Sequence, residues 1–212
     1  MGGGSGNAHE TRFESRGQWG VQSFETEKPG GIMNTLHTGE AVFTAIAAED
    51  RASSISRQDD IYGWFVGSWD LEVLVYWAEN VSARHIGGEV HVTRALEGLA
   101  VQDIWIMPRR RDRSPKLDSK FNMYGTTLRV WDATLRAWRI TWLNPVGQHF
   151  EQQVGRRAGA DIVQLGTKPD GTATRWRFTE IKPDSFHWLG ESLRPDGQTW
   201  LLEGEFRGRR AE

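Results

Sequence analysis

Three ionisable side chains that could transfer protons lie close together in the sequence: Glu89, His91 and Asp103. A histidine held by an aspartate is a minimal general base, because the carboxylate orients the imidazole and stabilises its protonated form. A nearby glutamate could return the proton. We therefore predict these three residues as the catalytic group, provided that the fold brings them onto one face.

Whether they meet depends on a β-hairpin that turns near Gly98. A three-residue loop with Gly98 in the left-handed conformation places His91 opposite Asp103 and Glu89 opposite Trp105. A two-residue loop instead moves Asp103 to the face opposite His91. The other face of this hairpin is more apolar, so it could be the one that points into the interior instead. It carries Val90, Val92, Ile104 and Ile106.

Aromatic residues are the second prominent feature, with 11 Trp and 9 Phe but only 3 Tyr. Any single Trp could be core filler, but so many in a chain of short strands favour an aromatic cavity lining. Arginines on strands could add a bidentate grip on a carboxylate or phenolate. The predicted ligand-binding residues are Trp77, Trp105, Tyr124, Arg129, Trp131, Trp142, Arg177, His187, Trp188 and Glu191.

Composition excludes several classes of site. The chain has no Cys, which rules out disulfides, thiolate nucleophiles and cysteine-ligated metal centres. The formal net charge of -2 argues against nucleic-acid binding. The histidines show no metal-ligand spacing, and no apolar run is long enough to cross a membrane. We predict no metal, no cofactor and, since no signal-peptide pattern is present, a cytoplasmic location.

A period of two in the hydrophobic pattern begins at Trp69 and indicates β-strands. Turn signals separate the strand-like runs, and no helical segment long enough for a crossover lies between them, which implies antiparallel neighbours. We predict strands at 69–77, 89–95, 99–107, 122–131, 137–143, 149–156, 161–167, 174–181, 185–191 and 199–207. Closure into an up-and-down barrel would remove the exposed edges, and a β-sandwich is the second architecture.

The N-terminal part of the sequence lacks the strand pattern that begins at Trp69. Residues 1–37 are polar and glycine-punctuated, and we expect a flexible or irregular arm. Helical spacing predicts a helix over 38–51, and a capping pattern at Ser56 predicts a short helix ending near Gly67. The predicted organisation is therefore an arm over 1–37, a helical lead-in over 38–66 and a barrel over 67–212.

The opening of the barrel region, Gly67-Ser68-Trp69 after a short helix, resembles the Gly-x-Trp element of lipocalins and other calycins. Later segments resemble a bacterial lipocalin-like family of unknown function. They are 96–105, 124–132, 138–142, 175–178 and 186–191. The resemblance implies a closed barrel in which Trp69 plugs one end, and it supplies no activity.

The chain also resembles haem-binding nitrobindin-like barrels, which need a histidine on the last strand. The corresponding segment here, 199–203, has none, so haem is not expected.

Three functions compete at this point. The first is binding of one small apolar or aromatic molecule in the barrel. The second is a cofactor-independent lyase, isomerase, hydratase or cyclase that uses His91 with Asp103 or Glu89. The third is a subunit-interaction protein whose aromatic N-terminal arm docks on another chain, with a homodimer as the candidate assembly.

Overall fold

The computed structural model describes residues 32–114 and 119–212, with side chains from residue 39 onward. It contains one α-helix, α1 (Ile32–Ile46), and short 3-10 helices at Gly63–Phe65, Ser82–Arg84, Arg110–Asp112 and Ser119–Phe121. The strands are β1 (Ala47–Ala48), β2 (Gly67–Tyr76), β3 (Glu79–Asn80), β4 (Gly87–Ala95), β5 (Ala100–Met107), β6 (Met123–Asp132), β7 (Ala137–Asn144), β8 (His149–Ala158), β9 (Asp161–Thr167), β10 (Ala173–Thr179), β11 (Ser185–Leu193) and β12 (Trp200–Arg210).

The sheet closes on itself at β2, which pairs with β12 on one side and with β4 on the other. From β4 to β12 each strand pairs with its neighbour in chain order, and every pairing is antiparallel. The result is a closed antiparallel barrel of 10 strands. The predicted fold class is confirmed, and the alternative of two stacked sheets is wrong.

The end of β2 departs from the predicted alternation. The strand alternates regularly up to Val73, and its pairing with β12 then shifts by one residue at Leu74. An extra residue in one strand reverses which side chains face inward. Tyr76, rather than Val75, is therefore buried, and Trp77 lies beyond the strand with half of its surface exposed.

The lead-in also differs from the prediction. Helix α1 ends at Ile46, earlier than expected, because the next two residues form β1 and pair with the last two residues of β4. Those residues of β4 extend beyond the start of β2, so β1 covers an edge that would otherwise lack a partner. No described helix has the length and apolar character needed to cross a lipid bilayer.

The predicted second helix is reduced to one 3-10 turn, Gly63–Phe65. The capping contact does form, because the Asp59 backbone N–H donates to Ser56 Oγ over 3.1 Å. The segment then places Tyr62 and Phe65 in the hydrophobic core, both 0% exposed. This burial, rather than helical hydrogen bonding, determines the path of the chain.

Trp69 closes one end of the barrel. Its indole Nε1 donates to the Phe65 carbonyl over 2.7 Å. The Arg210 guanidinium lies 4.1 Å from the centroid of the indole and donates to the carbonyls of Val66 and Trp64. Arg210 thereby connects the end of β12 to the segment that precedes β2.

The hairpin between β4 and β5 has a four-residue loop, 96–99, between the paired residues Ala95 and Ala100, and its register is the one predicted for the two-residue loop rather than for the three-residue loop. The Gly98 N–H donates to the Ala95 carbonyl over 3.1 Å and the Leu99 N–H donates to the Leu96 carbonyl over 3.0 Å. Three consecutive residues, Leu96, Glu97 and Gly98, have φ values of 53°, 57° and 77°. Residues with positive φ are typical of tight hairpin connections.

This register corrects the predicted catalytic group. Asp103 pairs with Val92, whereas His91 pairs with Ile104 and Glu89 pairs with Ile106. A shift of one residue sends a side chain to the other face of a strand. The predicted contact between His91 and Asp103 is therefore wrong: Asp103 is buried inside the barrel, and His91 and Glu89 lie on the outer face.

Candidate functional site

A cavity occupies the end of the barrel opposite Trp69. Its volume is about 80 Å³, several times what one water requires. It is lined by Tyr76, Trp77, Trp105, Met123, Thr127, Arg129, Trp142, Asn144, His149, Trp176, Trp188, Gly190, Glu203, Gly204 and Phe206.

Aromatic rings form most of the cavity wall around Trp188. Its ring centroid lies 5.4 Å from that of Trp176, 5.9 Å from that of Trp105 and 5.1 Å from that of Phe206, with the last pair stacked. Trp142 continues the wall at 6.1 Å from Trp176. Such ring pairs contribute about 0.5–1.5 kcal/mol each beyond their buried area, so the wall is held in shape before any ligand enters.

Glycines opposite the indoles make room for this wall. A Cβ on Gly125 would lie 2.4 Å from Cη2 of Trp142. A Cβ on Gly190 would lie 2.6 Å from Cη2 of Trp188, and one on Gly204 would lie 3.1 Å from its Cζ3. These rings can lie against the sheet only because these positions carry no side chain.

The inner part of the site holds a buried ion pair. Asp103 Oδ2 accepts a hydrogen bond from Arg129 Nη1, and both side chains are at most 2% exposed. Asp103 Oδ1 also accepts from the Thr127 backbone N–H over 3.0 Å. Arg129 borders the cavity, and its Nε is the one buried side-chain polar atom of the described residues that has no hydrogen-bond partner.

Tyr62 covers this ion pair from the closed end. The Arg129 guanidinium carbon lies 4.9 Å from the centroid of the Tyr62 ring. Complete burial raises the pKa of Tyr62 above its usual range, although the nearby Arg129 charge opposes this effect. The hydroxyl therefore stays protonated, and it donates to Gln164 Oε1 over 3.0 Å.

A chain of buried hydrogen bonds runs from Tyr62 to Glu151. Gln164 Nε2 donates to Gln153 Oε1 over 2.9 Å, and Gln153 Nε2 donates to Glu151 Oε1 over 2.7 Å. Thr174 Oγ1 donates to the same Glu151 oxygen. The Glu151 side chain is only 1% exposed, and these donors satisfy one of its two oxygens.

His149 contacts the other oxygen of this carboxylate. Its Nε2 lies 3.2 Å from Glu151 Oε2, and its side chain is 26% exposed. The ring packs between Trp77, at 5.6 Å between centroids, and Trp176, at 6.2 Å. The cavity wall thus contains a histidine oriented by a buried carboxylate.

The structure divides the predicted ligand-binding residues into two groups. Trp77, Trp105, Arg129, Trp142 and Trp188 line the cavity. Trp131 lies toward the closed end against Trp138, with 5.8 Å between ring centroids. The remaining four, Tyr124, Arg177, His187 and Glu191, lie on the outer face of the barrel, so their predicted place in the cavity is wrong.

Successive side chains along a strand point to opposite faces of the sheet, which explains these outer positions. On β10 and β11 the bulky Trp176 and Trp188 face inward, which turns Arg177 and His187 outward. Arg177 and its neighbour Arg175 pair with Glu191, while His187 Nε2 lies 2.8 Å from Glu205. Partial burial opposes ionisation of Glu191, but the two arginines outweigh it and hold its pKa below the ordinary value.

His91 has a different environment on the outer wall. Its Nε2 lies 3.0 Å from Arg110 Nη2, which can only donate, so the ring hydrogen is assigned to Nδ1 and points to Ser68 Oγ at 3.0 Å. His91 therefore cannot accept a proton from Ser68. Partial burial disfavours the Glu89 anion, but hydrogen bonds from Arg110 dominate and keep the pKa of Glu89 below its usual value.

Sequence reasoning missed several lining residues, above all His149. The signal was present, because His149, Glu151 and Gln153 share one face of a predicted strand. The opposite face carries Phe150 and Val154 and is the more apolar one, which favours it as the interior. The other lining residues missed are Tyr76, Met123, Thr127, Asn144, Trp176, Gly190, Glu203, Gly204 and Phe206.

Fold and site together define a closed antiparallel barrel with a buried aromatic cluster around a cavity, which is consistent with a calycin-like fold and compatible with ligand binding. The chain matches no known protein-family model and none of the curated proteins with which it was compared.

Proposed function

We propose that this barrel binds one small, largely aromatic organic molecule in its cavity. The observation that carries the proposal is a set of aromatic side chains that surrounds a space of about 80 Å³. They are Trp105, Trp142, Trp176, Trp188 and Phe206. An apolar cavity bordered by a few polar groups is the usual form of a small-molecule site.

Polar groups at two levels of the cavity would orient the ligand. Arg129 and Thr127 lie at the inner level, and Asn144 and His149 lie near the outer end. Because the Arg129 charge is already balanced by Asp103, a neutral oxygen acceptor fits this end better than a second anion would. We therefore expect a ring system with a carbonyl or hydroxyl group.

Binding can be tested with indole, naphthalene, 2-naphthol and 2-tetralone, a bicyclic aromatic ketone. We expect saturable quenching of tryptophan fluorescence by at least one of them, and a one-to-one complex in native mass spectrometry. The variant Thr127→Met adds bulk inside the cavity, since Thr127 is 1% exposed and borders it. It should weaken binding at least tenfold.

Thr141→Met is the matched control, because Thr141 lies on the outer face of β7, between the inward-facing Ile140 and Trp142. It should leave binding unchanged. Thermal unfolding of both variants separates loss of binding from loss of fold. The proposal fails if none of the four compounds binds, or if Thr141→Met weakens binding as much as Thr127→Met does.

Other expectations stay predictions. The resemblance to calycins is supported by Trp69 at the closed end of the barrel, and membership of the bacterial lipocalin-like family rests on the sequence segments alone. Residues 1–31 of the arm that would mediate a subunit contact lie outside the described residues, and residues 32–37, also predicted as part of the arm, form the start of α1. The cytoplasmic location and the absence of a cofactor rest on the sequence.

A further inference from the structure

The contact between His149 and Glu151 goes beyond ligand binding. Glu151 Oε1 accepts hydrogen bonds from Gln153 and Thr174, and every donor in the chain that begins at Tyr62 points toward this carboxylate. Glu151 is therefore placed as an acceptor only. The hydrogen of the neutral imidazole is then assigned to His149 Nε2, which faces Glu151 Oε2 at 3.2 Å.

This assignment leaves Nδ1 of His149 with its lone pair. Nδ1 has no hydrogen-bond partner among the described residues, and the ring borders the cavity. Packing between Trp77 and Trp176 limits rotation of the ring. A histidine oriented by a buried carboxylate, with its second nitrogen available to a ligand, has the arrangement of a general base.

A hydrogen-bond donor lies directly across the sheet from this base. Asn144 pairs with His149 in the ladder between β7 and β8, and both residues line the cavity. Asn144 Oδ1 accepts from the Gly147 backbone N–H over 3.2 Å, which leaves Nδ2 to donate. An amide beside a base is suited to stabilise an oxygen on which negative charge develops.

We propose that His149, Glu151 and Asn144 form a proton-transfer site for an aromatic ketone bound in the cavity, an inference that rests on the proposed binding function. The C–H bond beside the carbonyl breaks, and its proton moves to His149 Nδ1. The electron pair of that bond becomes the enolate, whose oxygen accepts from Asn144 Nδ2. Return of the proton to the same or a conjugated carbon completes an exchange or isomerisation without any co-reactant. Glu151 stabilises the imidazolium and is a positioning residue.

The test uses 2-tetralone and the full chain in D₂O, with deuterium incorporation at the carbons beside the carbonyl followed by mass spectrometry. The wild-type protein should accelerate exchange with saturation in ketone. His149→Gln should lower the rate by about 10²–10⁴-fold, the usual contribution of a positioned general base. Glu151→Gln should lose part of that rate while 2-tetralone binding, measured by fluorescence quenching, is retained.

His85→Gln is the matched control, because His85 is exposed and lies in the loop before β4; its exchange rate should equal that of the wild type. Nitrogen-15 NMR should show the His149 hydrogen on Nε2, and Glu151→Gln should shift it toward Nδ1. This readout would not respond to a purely structural role.

The outcomes separate the two proposals. If 2-tetralone binds but exchange is no faster than with His149→Gln, the proton-transfer site is refuted and the binding function stands. If other compounds of the set bind and 2-tetralone does not, the ketone class is refuted. If no compound binds, the proposed function fails and this inference fails with it.

Discussion

Asp103 on β5 and Arg129 on β6 form an ion pair inside the barrel, with side-chain exposures of 0% and 2%. Breaking such a pair leaves an unbalanced buried charge, which costs about 3–5 kcal/mol. We expect Asp103→Asn to lower the free energy of unfolding by that amount, as measured by urea denaturation. The double variant Asp103→Leu with Arg129→Met should recover most of the loss, because no charge then remains buried.

The exposed pair of Asp132 and Arg139, at 2.7 Å, is the control for this prediction. Its arginine is 63% exposed, so solvent screens the interaction and Asp132→Asn should change stability far less. An equal loss in Asp132→Asn and Asp103→Asn would contradict the argument from burial.

Trp69 should be a main determinant of stability, because it fills the closed end and carries Arg210 on its face. Replacing a fully buried indole with a methyl group costs about 3–5 kcal/mol. We expect Trp69→Ala to lower the free energy of unfolding by this amount in chemical denaturation. Trp77→Ala, at a position 50% exposed, should cost much less but should weaken ligand binding. The opposite ranking of the two stabilities would count against the assigned closed end.

Gly125 should tolerate no side chain. A methyl group there would lie 2.4 Å from the Trp142 ring, and forcing this ring out of place costs about 1–3 kcal/mol. We expect Gly125→Ala to lower the melting temperature and to change ligand affinity, because Trp142 lines the cavity. Gly39→Ala is the comparison, since it meets nothing within 4 Å and lies inside α1, where alanine is favoured. It should leave stability equal or higher.

The carboxyl group of Asp196 should have an unusually low pKa for an exposed group. The hydroxyl of Thr199, with the backbone N–H groups of Thr199 and Gln198, lowers its pKa from 3.8 to about 2. Because the folded-state pKa is depressed, this group stabilises the fold fully above about pH 4, and the contribution is lost as the pH falls through about 2.

Carbon-13 NMR of the Asp196 carboxyl group measures this directly. Thr199→Val removes the hydroxyl donor and should raise the titration midpoint toward 3.8. Gln198→Ala keeps its backbone N–H and should leave the midpoint unchanged. A wild-type midpoint at 3.8 would show that the turn does not hold the carboxylate in this way.

Much of the fold can be predicted from the sequence because strand alternation and turn chemistry are local properties. The ten predicted strands correspond to β2 and to β4 through β12, and their closure into one antiparallel barrel is confirmed. Helix boundaries were less predictable. Residues 47–48 leave the helical pattern because they pair with the end of β4, a contact that local sequence does not encode.

The candidate site, like the fold, could be predicted from the sequence only in part. Composition by itself predicted an aromatic cavity lining that includes Trp105, Trp142 and Trp188, and the arginines on predicted strands indicated a charged group there, which includes Arg129. Only the tertiary structure decided which face of each strand is inside, since a shift of one residue in a turn or bulge exchanges the two faces. It therefore decided that the carboxylate-oriented histidine in the cavity is His149 with Glu151, while His91 lies outside.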